Sequence, residues 1–232
     1  MNFPKGIILI GIMLILLVNT SGCAKNVALK KTFWDKQSAK VGIALEDFPK
    51  AGAHKAGSQG VLDMAVSSGM DAGLRKYLEK TDLSKFLTVK KKFAALMHKG
   101  GLEPKIIDEF VDAKALPMVK NEQNGKSSPD YRFLAEKYDV DYILLLKINA
   151  VGTLRQYYGF IPLGSPQGYC VAGGLMAQNN TNEVFWAYTM DANKSVVKIE
   201  GKWNNPPDYP ELDAAIQQSI SNAVSEMEKS FQ

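Results

Sequence analysis

The chain has 232 residues, 46% hydrophobic and 22% charged, an ordinary globular composition that excludes a mainly disordered chain. Its formal charge of +4 is mild, with Lys and Asp/Glu interspersed, which gives no case for nucleic acid and leaves only loose attraction to anionic lipid headgroups. With two cysteines and two histidines, no Cys-rich or paired-His metal site is expected, and no cofactor is implied.

At the N-terminus a single Lys5 precedes an uncharged run from Gly6 to Val18. That length suits a secretory signal but falls short of the roughly 18 to 20 residues needed to span a bilayer. Thr20-Ser21-Gly22-Cys23 resembles a lipobox, in which small residues before the cysteine leave room for a lipid-modified thiol; Thr20 stands where the pattern usually has an aliphatic residue. The resemblance implies that residues 1–22 are removed and that Cys23 carries a thioether-linked diacylglycerol and an acylated amino group. Several chains on one residue suffice for stable anchoring, at about 0.8 kcal/mol per buried methylene. Ala24, in place of the Asp that holds many enterobacterial lipoproteins at the inner membrane, implies the outer membrane and a periplasm-facing domain. The bland alternative is an ordinary signal peptide that happens to contain a cysteine. Maturation leaves 210 residues with 27 basic and 24 acidic side chains, enough for one substantial domain.

Residues 23–39 read as the lipidated cysteine and a flexible Lys-rich tether, with Phe33 and Trp34 either docked on the domain or placed at the membrane interface. A single domain is expected over 40–232. Val41 to Phe48 alternates as a first strand, and Ala51 to Gln59, rich in Gly and polar residues, reads as a loop. Helices are predicted from about Gly60 to Lys80 and from about Ser84 to Lys99, the second with Phe86, Val89, Phe93, Leu96 and Met97 on one face and Lys90, Lys91 and Lys92 on a solvated one. Gly69 and Gly73 suggest close packing of the first helix on a sheet. Ile106 to Val111 reads as a short strand, Pro117 to Pro129 as a polar loop, and Asp130 to Tyr138 as a short helix.

Val140 to Val151 is the strongest strand, apolar on both faces at its centre and therefore central in a sheet. Strands follow at Tyr169 to Gln178, Glu183 to Met190 and Ser195 to Trp203, joined by short antiparallel turns. Leu212, Ile216, Ile220, Ala223, Val224, Met227 and Phe231 form the apolar stripe of a terminal helix from about Glu211 to Phe231. The fold class is α/β: a mixed sheet packed by helices, ending in an antiparallel meander and a C-terminal amphipathic helix.

No G-x-S-x-G elbow, P-loop or dinucleotide fingerprint occurs, and His54 and His98 fall in a surface loop and at a helix end. Asp139 with Asp141 and Glu46 with Asp47 read as strand-end and capping residues before they read as a catalytic carboxylate pair. With Cys23 lipidated, Cys170 is either a buried small apolar residue or half of an intermolecular disulfide. The segment Arg155 to Tyr169 stands out: Tyr157, Tyr158, Phe160, Tyr169, Ile161 and Leu163 are mixed with Gly and Pro between two strands. Two readings stand. Either the aromatics cover the end of the core, or Tyr157, Tyr158, Phe160 and Ile161 dock on another protein, since aromatics supply large contact area at low entropy cost.

Lipidated Cys23, the strand Lys40-Val41-Gly42-Ile43-Ala44-Leu45, a helix, and Tyr138-Asp139-Val140-Asp141-Tyr142-Ile143-Leu144-Leu145-Leu146 followed by Gly152-Thr153 together resemble a group of bacterial lipoproteins. In layout, over about residues 40–232, the chain is also distantly similar to the curli-secretion channel lipoprotein and the lipoprotein activator of penicillin-binding proteins. These relatives bind partners or assemble rather than catalyse; with the anchor, the missing catalytic set and the aromatic segment, the expectation is a non-enzymatic, lipid-anchored outer-membrane protein that binds or scaffolds another envelope component. An envelope protein is the expected partner and homo-oligomerisation stays open. The alternatives are a periplasmic hydrolase of cell-wall polymer or glycan, and a carrier of a small ligand or lipid. Two desolvated carboxylates in a pocket would mark the hydrolase and a deep apolar cavity the carrier.

Overall fold

The computed structural model describes residues 26–58, 60, 72–120 and 127–232. The signal segment, the lipobox with Cys23, the first part of the helix expected from Gly60 (with Gly69) and the middle of the 117–129 loop lie outside the described residues. In chain order the elements are β1 (Lys40–Glu46), β2 (Gly52–Ser58), α1 (Ala72–Leu78), α2 (Thr88–Lys99), β3 (Glu103–Val111), β4 (Met118–Lys120), β5 (Ser127–Pro129), α3 (Arg132–Lys137), β6 (Tyr142–Tyr158), β7 (Ile161–Pro162), β8 (Gln167–Gln178), β9 (Val184–Thr189), β10 (Val196–Val197) and α4 (Pro210–Ser230).

An eight-stranded mixed sheet is built on the long antiparallel pair β6 and β8. β1 lies parallel between β3 and the first part of β6, Val41 facing Tyr142 and Leu45 facing Leu146. This is the α/β class expected from the sequence, with its antiparallel end and C-terminal helix. The doubly apolar centre of β6 has the predicted cause. Tyr142, Leu144 and Leu146 join Val41, Ile43 and Leu45 under α2 and α4, while Ile143 and Leu145 join Ala44, Ala177 and α3 residues Leu134 and Ala135 on the opposite face. Every residue of the predicted stripe on α4 is buried.

Several expectations are corrected. Residues 51–59 are not a loop: β2 pairs in parallel with the second part of β6, from Gly52↔Gly152 to Ser58↔Tyr158. Its glycines and polar residues look loop-like because its stability comes from backbone pairing with a neighbour, not from a buried face of its own. β6 correspondingly runs past Val151. Gly152, at φ 125°, is one place where β2 and β6 come too close for a side chain; a Cβ there would lie 2.2 Å from the Gly52 carbonyl oxygen. The 117–129 segment carries the small hairpin β4–β5, and the last predicted strand shrinks to Val196–Val197 because its partner β8 ends at Gln167, behind Pro166, which has no N–H to offer.

The 26–39 stretch is docked rather than a free tether. Val27 exchanges backbone hydrogen bonds with Ala187 at 2.7 and 3.0 Å. Phe33 is fully buried, with ring centroids 5.3 Å from Tyr142 and 6.0 Å from Phe231. The abundant lysines mask this, since two aromatics outweigh their neighbours once they find a cavity to fill. Gly73, expected against a sheet, is exposed and has only the Tyr209 hydroxyl near the site of a Cβ, at 3.8 Å.

Candidate functional site

The unusual segment after β6 forms a tight hairpin. Tyr157 faces Pro162 and Tyr158 faces Ile161 across β6 and β7, leaving Gly159 and Phe160 as a two-residue turn. A two-residue connection needs a central residue at positive φ to match the twist of the strands, and Gly159 supplies it at 57°. The Gly159 N–H donates to the Ser58 carbonyl at 2.9 Å, the Leu163 N–H to the Gln156 carbonyl at 2.8 Å, and Arg155 Nε to the Gly164 carbonyl at 2.8 Å. These bonds fix the returning strand.

Strand alternation then separates adjacent tyrosines. Tyr157 is buried at 3% exposure, with Lys55 Nζ 5.3 Å and the Arg155 guanidinium 5.8 Å from its ring centroid. Arg155 also lies 5.1 Å from the Trp203 ring. Tyr158 is 70% exposed, and Phe160, Ile161 and Leu163 are 52%, 52% and 61% exposed. The segment thus divides: Tyr157 and Tyr169 are buried, whereas Tyr158, Phe160, Ile161 and Leu163 form an outward apolar end. Tyr157 does not share the surface on which the sequence grouped it. Leu163 does, and continuing the strand alternation through Gly152 would have found both.

Elsewhere several chemistry-bearing side chains are engaged. The Lys40 ammonium donates to Asp139 at 2.9 Å and holds that carboxyl below its ordinary value, while the Lys40 N–H donates to Asp141 at 2.8 Å. Glu46 pairs with Lys147 at 3.6 Å. His54 Nε2 lies 3.1 Å from the Val151 carbonyl oxygen, its ring 5.2 Å from that of Tyr169. Cys170 is buried, and desolvation pushes its thiol up to about 12. Among the described residues no three of His, Cys, Asp and Glu gather into a ligating group, and no helix is long and apolar enough to cross a membrane.

Among the described residues, two of the clefts open to solvent bear on the alternatives. The larger, about 320 Å³, is lined by Asp130, Arg132, Phe133, Glu136 and Asn179 among others. Arg132 grips Asp130 through two bonds of 2.8 and 2.7 Å, which hold that carboxyl low. Glu136 is exposed. The lowered Asp130 carboxyl is the opposite of the carboxyl pushed up by burial that general acid catalysis calls for. The second, about 100 Å³, lies over Tyr131, Leu145, Lys147 and Tyr188 and is too small for a deep carrier cavity.

No protein-family model and no curated protein matches the sequence. Solved structures that align with it include a lipoprotein of Neisseria meningitidis (12% identity over 79% of this chain and 99% of that one, TM-score 0.31). A PelC dodecamer from Paraburkholderia phytofirmans aligns at 10% identity over 88% and 94%, TM-score 0.30. The LpoB C-terminal domain from Salmonella enterica aligns at 12% over 72% and 89%, TM-score 0.23. At these scores the likeness passes no function and no residue role to this chain.

Proposed function

We propose that this chain is a lipid-anchored protein of the bacterial cell envelope that works by binding another envelope component, not by catalysis, with the β6–β7 hairpin end as its contact surface. One observation carries the reading: Tyr158, Phe160, Ile161 and Leu163 stand 52–70% exposed at one end of a hydrogen-bonded hairpin. Four adjoining large apolar side chains on a rigid support are costly to leave in water unless something covers them. The pre-set shape lowers the ordering cost of binding, as a floppy loop would not. The signal-like N-terminus and the lipobox resemblance at Cys23 supply the location.

Site-specific photocrosslinking in intact cells tests this. A photoreactive residue replacing Phe160 in the full-length chain is expected to yield a discrete adduct with a lipid or a protein, whereas the same residue replacing exposed Lys91 on α2 yields none. No adduct at position 160, or identical adducts at both positions, would overturn the reading.

A further inference from the structure

We propose that the larger of the two clefts binds a neutral saccharide, a second contact made at the other end of the sheet from the hairpin and independent of it.

The walls of the cleft are built before any ligand arrives. It opens between Pro117 at the base of the β4–β5 hairpin, the start of α3, and the β8–β9 turn at Asn179 and Asn180. The Asp130 N–H donates to the Pro117 carbonyl at 2.7 Å, and the Asn179 N–H to the Asp141 carbonyl at 2.8 Å. Asn182 crosses from the turn to the start of α3: its Oδ1 accepts from the Tyr131 N–H at 2.8 Å and its Nδ2 donates to the Pro129 carbonyl at 3.1 Å. A recess tied in this way keeps its shape when empty, so little ordering entropy opposes binding. Its volume of about 320 Å³ falls at the small end of ligand sites, which run from about 300 to 1,000 Å³, and leaves room for a short saccharide.

The lining chemistry selects the ligand class. Phe133 stands exposed in one wall. Arg132 spends Nε and Nη2 on Asp130, and among the described residues its Nη1 has no partner. Asn179 gives Nδ2 to the Val140 carbonyl at 3.2 Å and keeps its Oδ1 as an acceptor, while Asn180 and Glu136 are exposed. Planar donors and acceptors beside one phenyl face match a pyranose ring. Each sugar hydroxyl both donates and accepts, so neighbouring hydroxyls pair with a carboxylate and an amide or guanidinium together, and the weakly positive C–H face of the sugar lies on the negative face of an aromatic ring. Other classes fit worse. An apolar ligand would strand these polar groups. An anion meets two carboxylates, Asp130 and Glu136, against one guanidinium, and a cation finds Asp130 already gripped.

The cleft adjoins the Tyr142 end of β6, where Gln178 is the register partner, and the hairpin forms the Tyr158 end. Seventeen residues of strand hold the two surfaces roughly 50 Å apart, so both can be occupied together.

Saturation-transfer NMR tests this on the full-length lipidated protein in lauryldimethylamine oxide micelles, a detergent without a sugar headgroup. The probes are maltotriose, tri-N-acetylchitotriose and the anionic trigalacturonate. Expected is transfer to the ring C–H protons of one or both neutral trisaccharides, which tells a glucan from an aminosugar polymer as the source, and none to trigalacturonate. Phe133→Ala and Glu136→Ala, each first shown to melt like wild type, should weaken that binding about tenfold, whereas Phe160→Ala leaves it unchanged. No transfer to either neutral trisaccharide, stronger transfer to trigalacturonate, or binding untouched by both cleft variants overturns the proposal. Crosslinking from position 160 is expected to be the same in Phe133→Ala as in wild type, so this proposal and the hairpin reading fail separately.

Discussion

Tyr157→Ala and Tyr158→Ala, one residue apart, are expected to separate cleanly. Tyr157 is 3% exposed with two cations near its ring, whereas Tyr158 is 70% exposed. Truncating a buried aromatic removes its transfer free energy and leaves a cavity, about 3–5 kcal/mol. In a protein of this size each kcal/mol shifts Tm by about 2–4 °C, so Tyr157→Ala lowers it by about 6–20 °C. Tyr158→Ala stays within about 0.5 kcal/mol of wild type, near the resolution of a melting curve. Thermal unfolding of detergent-solubilised full-length protein, followed by tryptophan fluorescence, reads both. Equal shifts, or a larger shift for Tyr158→Ala, would refute the strand alternation on which the contact surface is drawn.

Gly152→Ala forces a Cβ to within 2.2 Å of the Gly52 oxygen at φ 125°. Backbone strain alone costs about 1–3 kcal/mol, so hydrogen exchange should quicken across residues 53–57; unchanged exchange contradicts the β2–β6 crossing. Arg132→Gln frees the Asp130 carboxyl, whose pKa then rises toward that of an ordinary aspartate in an NMR titration. Because the folded value is depressed, the stabilisation from this pair is complete above the ordinary carboxylate value and disappears as pH falls through the folded one, so wild type and variant converge in acid. Cys170, with a thiol at about 12, should resist iodoacetamide at pH 8 until the protein is unfolded; prompt labelling of the native protein would contradict its burial.

What could be read from the residues follows from how locally each signal is encoded. The stripe on α4 and the doubly apolar centre of β6 are one-dimensional patterns, and both are buried as their periods dictate. β2 has no such pattern, because Gly52-Ala53-His54-Lys55-Ala56-Gly57-Ser58 is a strand only by virtue of β6 beside it. Phe33 and Trp34 sit in a lysine-rich stretch, and nothing local says that Phe231, two hundred residues later, completes their pocket. The contact surface was half legible. Its unusual composition marks the segment, but dividing Tyr157 from Tyr158 requires knowing that β6 continues through Gly152 to the hairpin, a tertiary fact set by a close crossing of backbones.

The claim on which the rest depends is the tether at Cys23. Metabolic labelling with an alkyne fatty-acid analogue, followed by membrane fractionation, compares the wild-type chain with Cys23→Ala. Wild type is expected to take up label and sediment with membranes, while Cys23→Ala takes up none and accumulates as an unprocessed or misprocessed precursor. A Cys23→Ala protein that still incorporates label and fractionates with membranes like wild type would contradict the lipid anchor.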